Sequence, residues 1–344
     1  MTRALIPYSA KTTPSRSWLR SEPRASASGM RVARASANGV RAAPRRLTTL
    51  LLLSASAAVL APPTAHAQTL KLSKEEMIAL TAQNPFERFP DGRPKVPDAL
   101  LERARGMSME EAFAVLPNRN FHNQYEDGFQ ALHPGKKMVG RAFTVQFMPA
   151  RPDLDAVMNA KAQAAGIPRL YNQAALDMLQ PGDVLVVDLF GKTDGGTIVG
   201  DNLFYYMMKS AKCAGLVVDG SVRDLEGISD MDMPAYFRKA HPSFITNVTI
   251  TGINVPVRIG NATVMPGDMV LGDPEGIYFI PPQLVQQTVD NADVVHIHDE
   301  WTRKMFATGK YKSSEIYSTP KDPALKKEYD EYLKKRLEEI RKNQ

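Results

Sequence analysis

Between Gly200 and Glu226 the chain reads GDNLFYYMMKSAKCAGLVVDGSVRDLE, and this stretch collects the residue types that handle a small acid. Asp201 or Asn202 can cap a helix whose body is Leu203 to Lys212, with Gly200 supplying a permissive backbone before it. A helix start leaves unpaired N–H groups and a partial positive charge, which together seat a carboxylate or a phosphate. Leu216-Val217-Val218 reads as a short buried strand that delivers Asp219-Gly220-Ser221-Val222-Arg223-Asp224, a polar turn, at its C-terminal end. Arg223 can grip a carboxylate or an enolate oxygen with two parallel donors. Asp224 and Asp201 are the kind and number of carboxylates that suit Mg²⁺, which keeps several waters and takes oxygen atoms of its substrate. If the helix start and the strand end lie side by side, the outline is an active site for a small acidic substrate with a divalent metal.

The elements that must position these residues are legible around them. Val139 to Phe147 alternates and is rich in β-branched residues, which predicts a strand. Asp153 to Ala165 and Asn172 to Leu179 read as helices. Pro181-Gly182-Asp183 turns the chain into Val184 to Asp188, an uninterrupted apolar strand of the buried type. A glycine-rich loop, 189–200, leads from it to the helix described above. Beyond Glu226, Met233 to Phe237 reads as a short strand, and Ile245 to Ile259 alternates in strand fashion. Pro266-Gly267-Asp268 repeats the earlier PGD turn before another apolar run, either as a repeated supersecondary unit or as a favoured turn. Gly276 to Ile280 is the last strand. Leu284 to Phe306 is helical, and Pro323 to Arg341 is a charged helix, solvated or spanning subunits.

Upstream of this core the pattern is helical from Gln68 to about Leu116. Ser73-Lys74-Glu75-Glu76 forms a capping box, and the PDGRPKVP segment from Pro90 to Pro97 breaks the helices apart. Asn118 to His133 reads as a loop with a turn of helix. The expected organisation is a leader over 1–67, a helical extension over 68–134, the core over 135–290 and a helical tail over 291–344.

Charge separates leader from core. Residues 1–67 hold ten Lys and Arg against one acid, whereas the remaining 277 residues hold 33 bases and 36 acids. The basic balance therefore belongs to the leader, and the folded part lacks the clustered positive charge of a nucleic-acid binder. Arg45-Arg46, the apolar run Leu47 to Leu60 and Ala65-His66-Ala67 have the order of a secretory signal with cleavage after Ala67. This predicts a periplasmic or secreted protein with no membrane anchor. The single cysteine, Cys213, excludes a disulfide framework and reads as a small buried residue.

Other motifs are weaker. Gly191-Lys192-Thr193 looks like the end of a phosphate-binding loop, but Val186 stands where that loop needs glycine. His296 and His298 have no third ligand at a sensible spacing for zinc. No serine lies in a nucleophile elbow, and no dinucleotide fingerprint is present.

Several separated motifs, in order, carry a resemblance: GRAFTV, PGDVLVVD, GDNL, AGLVVDGSVRD and PGDMVLGDPEGIYFIP, spread from about Val139 to Ile280. They resemble the RraA-like family, which includes class II 4-hydroxy-4-methyl-2-oxoglutarate/4-carboxy-4-hydroxy-2-oxoadipate aldolases and the regulator of ribonuclease E activity. The resemblance implies an α/β fold, an α/β/α layered or barrel-like core of swivelling β/β/α topology, assembled as a homotrimer or hexamer. Extra N-terminal and C-terminal helices would surround that core here. It implies Asp224 as the ligand of Mg²⁺ or Mn²⁺, Arg223 as the pyruvoyl-binding residue and Asp201 as the holder of a water on the metal. Backbone amides after Gly200, around Asn202 and Leu203, would receive the substrate carboxylate. A glutamate from a neighbouring subunit's C-terminal helix would complete the site, with Glu300 the candidate and Asp299 the alternative. The expected activity is a lyase acting on a small 2-oxo or hydroxy acid, with oxaloacetate decarboxylation as a related reaction. The alternative is a non-catalytic regulatory or ligand-binding member. In this chain twenty-two residues intervene between Gly200 and Arg223, and Glu226 follows the pair after Leu225 alone, a spacing that differs from the family pattern.

Overall fold

The computed structural model describes residues 70–195, 198–317 and 319–342; the leader expected over 1–67 lies outside them. Three short helices open the described chain: α1 (Lys74–Leu80), α2 (Asp98–Ala104) and α3 (Met109–Phe113). Ser73 Oγ accepts the Glu76 amide at 3.1 Å and the Glu76 carboxylate accepts the Ser73 amide at 2.8 Å, the reciprocal cap that the sequence predicts for α1. Then come β1 (Tyr125–Glu126), β2 (Gln130–Ala131), β3 (Met138–Pro149), α4 (Pro152–Ala164), α5 (Asn172–Leu176), β4 (Asp183–Lys192) and α6 (Asp201–Lys209). They are followed by β5 (Gly215–Val222), α7 (Leu225–Ser229), β6 (Ala235–Ala240), β7 (Val248–Ile253), β8 (Val257–Ile259) and β9 (Ala262–Val264). The chain finishes with β10 (Met269–Asp273), β11 (Gly276–Ile280), α8 (Pro282–Ala307), α9 (Ser313–Ile316) and α10 (Pro323–Lys342).

The main sheet has the order β1-β11-β10-β3-β4-β5-β6-β2, with β7 paired to the second half of β3. Strands β3 to β6 are mutually parallel, and the flanking pairs are antiparallel. The two ends of this order, β1 and β2, are separated in the chain by residues 127–129 alone, so the sheet must curl until its ends meet. Arg238 on β6 reaches both Glu126 on β1 and Asp219 on β5, each at 2.8 Å. The Tyr236 hydroxyl crosses from β6 to donate to the Asp273 carbonyl on β10 at 3.0 Å. The expected barrel-like core is present.

Side-chain alternation sorts the core into an inside and an outside. Val184, Val186, Val217, Val270, Ile277 and Phe279 pack together inside the curl, with the β8–β9 hairpin contributing Ile259 and Ala262. Leu185, Val187, Leu216 and Val218 face outward against Met158 of α4 and Phe204 and Met207 of α6. Leu271, Tyr278 and Ile280 face α2, α3 and α8.

Several boundaries differ from the sequence reading. Residues 118–133 supply two strands rather than only a loop, because each two-residue strand is created by its partner: Tyr125 pairs with Tyr278 and Gln130 with Phe237. Strand β5 runs on through Val222, so Asp219 and Ser221 are buried strand residues and the polar turn shrinks to Arg223-Asp224. The strand expected at Met233–Phe237 is β6, starting at Ala235 and reaching Ala240. The charged tail helix, α10, folds back on α8, and Leu325 and Tyr329 bury themselves with Trp301 and Ile316.

The two PGD turns are local copies, not copies of a larger unit. In each, glycine has positive φ (81° at Gly182, 88° at Gly267), and the aspartate Oδ2 accepts an amide three residues back at 2.8 Å. Yet β4 pairs with β3 in parallel and β10 in antiparallel fashion, and different elements follow each. Their aspartates also differ. Asp183 meets Arg93, whereas Asp268 Oδ1 has no partner among the described residues and burial pushes its carboxyl up to about 7.

Between pH 4 and 7 the folded chain thus keeps a proton on Asp268 that the unfolded chain has released, and this group's contribution to stability falls as pH rises through that window. Asp268→Asn keeps an acceptor for the Met265 amide without the charge. Relative to wild type it is expected to gain about 2–3 kcal/mol between pH 5 and pH 8. Urea midpoints at the two pH values measure this; an unchanged difference between the proteins contradicts it.

Candidate active site

Strands β4, β5 and β6 all point their C-terminal ends the same way, the edge at which open parallel sheets place their ligands. From the end of β4 the chain passes through the glycine loop to α6, and from the end of β5 it turns directly into α7. Gly200 is the cap residue of α6, extended at φ −106° and ψ −170°. Asp224 caps α7 with φ 54° and ψ 41°, a left-handed conformation that aspartate tolerates better than most residues. Its side chain makes no capping hydrogen bond to its own helix. Instead Asp224 Oδ2 lies 3.1 Å from Arg223 Nε and 3.4 Å from the Asp201 amide, so the carboxylate is turned across to the start of α6.

This juxtaposition explains Gly200. A Cβ at that position would lie 2.4 Å from Asp224 Oδ2 and 2.7 Å from both Nε and Nη2 of Arg223. The backbone there suits any residue; only the room demands glycine.

Asp201, Arg223, Asp224, Leu225, Glu226, Gly227, Ala240, His241 and Pro242 line one cleft of about 520 Å³. Of the sequence-predicted residues, Gly200, Asp201, Arg223 and Asp224 are therefore brought together. Asn202 and Leu203 sit in the first turn of α6, but the Asn202 amide already donates to Asp201 Oδ1 at 2.6 Å. Asn202 is thus not a vacant seat for a substrate carboxylate: its neighbour's side chain supplies the acceptor that the helix start lacks. Leu203 is the remaining amide of that pair.

Glu300 and Asp299 do not line this cleft. Glu300 lies on α8 against α10, where the Tyr332 hydroxyl donates at 2.7 Å, Lys304 at 3.0 Å and Arg336 Nε at 3.2 Å. Tyr332 and then Lys304 hold its carboxyl down at about 2. Asp299 lies near His298 and Arg303. Lys192 pairs with Asp194 at 3.1 Å and is absent from the cleft lining, and Cys213 is a half-buried thiol that burial pushes up to about 12. His241 was not expected from the sequence. It follows β6 as Arg223 follows β5, so comparing the ends of adjacent parallel strands is the signal that finds it.

Charge decides what the cleft can hold. Asp201, Asp224 and Glu226 oppose a single guanidinium, a balance that repels an anionic acid unless a cation joins it. No cluster of three or more His, Cys, Asp or Glu able to cage a metal occurs among the described residues. One or two carboxylates with open space beside them instead fit a hard dication that keeps most of its waters. The donor set fits Mg²⁺ or Mn²⁺.

Residues 96–278 match the family model RraA-like, described as Aldolase/RraA. The chain belongs to the RraA-like family. It is 30% identical over 169 residues to a provisionally named 4-hydroxy-4-methyl-2-oxoglutarate aldolase of Halalkalibacterium halodurans, covering 49% of this chain and 71% of that protein. A protein of the same provisional name from Ectopseudomonas mendocina is 34% identical over 109 residues, 32% of this chain and 66% of its own length. The crystal structure of Streptomyces coelicolor RraAS2, described as an unusual member of the RNase ES inhibitor RraA protein family, matches with a TM-score of 0.52 and 32% identity. That match covers 64% of this chain and 99% of the Streptomyces chain. In this RraA-like chain the barrel and its flanking helices agree with the expected fold, and the Arg223-Asp224 turn lies inside the matched segment.

Proposed function

We propose that the protein is a divalent-metal-dependent lyase of pyruvoyl-containing acids. Its reactions would be retro-aldol cleavage of a 4-hydroxy-2-oxo diacid and decarboxylation of oxaloacetate. The observation that carries this reading is the packing of Arg223 and Asp224 against Gly200 at the start of α6. Arg223 spends Nε on Asp224, and its Nη groups have no protein acceptor among the described residues. They can therefore grip the pyruvoyl carboxylate in a fork. Asp224 would hold the Mg²⁺ or Mn²⁺ ion, which as a Lewis acid polarises the 2-oxo group.

Cleavage breaks the bond from C3 to C4, and its electron pair moves into the 2-oxo group to give pyruvate enolate. Arg223 is placed to stabilise the negative oxygen that develops there. Asp201 Oδ2 has no protein donor among the described residues, and it lies beside Gly227 on the wall of the same cleft. In the aldol case it can take the C4 hydroxyl proton and return it to C3 of the enolate; in decarboxylation, where the leaving CO2 carries no proton, the proton it passes to C3 comes from solvent water.

The related provisional aldolase names support the lyase class. The likeness to RraAS2 favours a second reading, a non-catalytic ligand-binding or regulatory member. A panel of 2-oxo acids separates the two: pyruvate release that requires added Mg²⁺ or Mn²⁺ and stops on chelation is the expected result. Thermal stabilisation by the same acids with no product would overturn the lyase reading.

Periplasmic or secreted location and a homotrimeric or hexameric assembly with a neighbour's Glu300 at the site belong to the same proposal. In that role Glu300 would first have to exchange Tyr332, Lys304 and Arg336 as partners. Cell fractionation and light scattering of the purified protein test the two points: a cytoplasmic or a monomeric protein would refute the respective one.

A further inference from the structure

His241 lines the same cleft as the Arg223-Asp224 turn, contributed with Ala240 and Pro242 by the chain leaving β6, the strand next to β5. Its backbone amide donates to the Val222 carbonyl at 2.8 Å, which ties it to the residue before Arg223. Its ring is fixed from one side. The Ser243 amide lies 3.2 Å from His241 Nδ1, and Ser243 Oγ is 3.1 Å from the same atom. A backbone N–H can only donate, so Nδ1 is the acceptor and the neutral ring carries its proton on Nε2. The Nδ1–Cε1 edge also faces the glycine loop, since a Cβ on Gly195 would lie 3.6 Å from Cε1 and 3.8 Å from Nδ1. The other ring nitrogen, Nε2, has no protein partner among the described residues, and His241 lines the cleft.

The cleft therefore has two unlike walls. Arg223, Asp224, Asp201 and Glu226 form the charged one, which takes the pyruvoyl end under the lyase reading given above, on which this inference rests. Beside them, at the end of the next strand, is a single oriented N–H donor, backed by Ser243 and by the glycine loop at Gly195. We propose that His241 Nε2–H is the substrate-facing donor for the distal carboxylate of a 2-oxo diacid, and so sets the preference for diacids over pyruvate-sized monoacids. Its hydrogen bond is made to a charged acceptor, and such bonds are stronger than those between neutral groups.

Titration calorimetry with Mn²⁺ present tests this with two probes that share the pyruvoyl group, pyruvate and 2-oxoglutarate; the second lacks a 4-hydroxyl for retro-aldol cleavage. His241→Ala is expected to weaken 2-oxoglutarate about tenfold and pyruvate less than about twofold. His241→Gln, whose side-chain amide can restore an N–H near the same place, is expected to recover 2-oxoglutarate affinity to within about threefold of wild type. Equal losses for both probes, no loss for either, or a wild-type protein that binds neither would overturn the inference. Absence of turnover from every 2-oxo acid, with the probe difference intact, would instead overturn the lyase reading alone.

Discussion

Gly200→Ala is expected to lower pyruvate release at least about a hundredfold while the protein stays folded, with a melting temperature within about 4 °C of wild type. The extended backbone at Gly200 is open to alanine, so no conformational strain enters. The three atoms nearest to the new methyl, all within 3 Å, belong to the far ends of side chains: Asp224 Oδ2 and the Nε and Nη2 of Arg223. Those ends can move aside at little cost to the fold. They are also the two groups on which the proposed chemistry depends, and a displacement near 1 Å at such a site can cost a hundredfold in rate. Steady-state kinetics beside a thermal melt reads both halves. A Gly200→Ala protein with normal turnover would show that the packing of Arg223 and Asp224 on this helix start is incidental.

The largest stability effect is expected at Arg93. This residue arrives from the proline-rich segment between α1 and α2 and inserts fully into the core, where Nη1 and Nη2 meet Asp183 Oδ1 and Oδ2 at 2.7 and 3.0 Å. Nη1 also donates to the Ala142 carbonyl at 3.3 Å, and the guanidinium lies over the Phe89 ring at 4.4 Å. Arg93→Met leaves Asp183 buried with its charge unanswered, a change that costs about 3–5 kcal/mol when one partner of a buried pair is lost. The double variant Arg93→Met with Asp183→Asn is expected to recover more than half of that, since the unpaired charge dominates the loss. Urea midpoints provide the measurement. A single-variant cost below about 1 kcal/mol would mean that Asp183, whose carboxyl burial already pushes up, sheds its charge by taking a proton or is reached by water.

These two residues mark the limits of what the sequence discloses. Gly200, Arg223 and Asp224 are legible because their order follows local elements with clear patterns, a buried strand and a capped helix. Strands β3 and β4 and helix α8 are legible for the same reason, being long enough for alternation or helical spacing to repeat. Arg93 is not: within PDGRPKVP it reads as a loop residue, and only the distant Asp183 gives it a role. Strands β1 and β2 are equally silent, since two residues carry no period and their partners lie far along the chain. Asp219 reads as part of a polar turn, yet it is a buried strand residue because Arg238 and the Gly260 amide meet its two oxygens. The Asn202 amide was lost to a local competitor, the carboxylate of Asp201, which a reading of helix-start geometry without side-chain conformations does not reveal.

The most direct test of the central claim is oxaloacetate decarboxylation by wild type and Asp224→Ala, each with Mn²⁺, measured against Mn²⁺ alone. Asp224 faces the cleft and is about one-third exposed, so its truncation should leave the fold intact. Wild type should exceed the metal-only rate, and Asp224→Ala should fall to it. Equal rates from the two proteins would contradict a site built around Asp224.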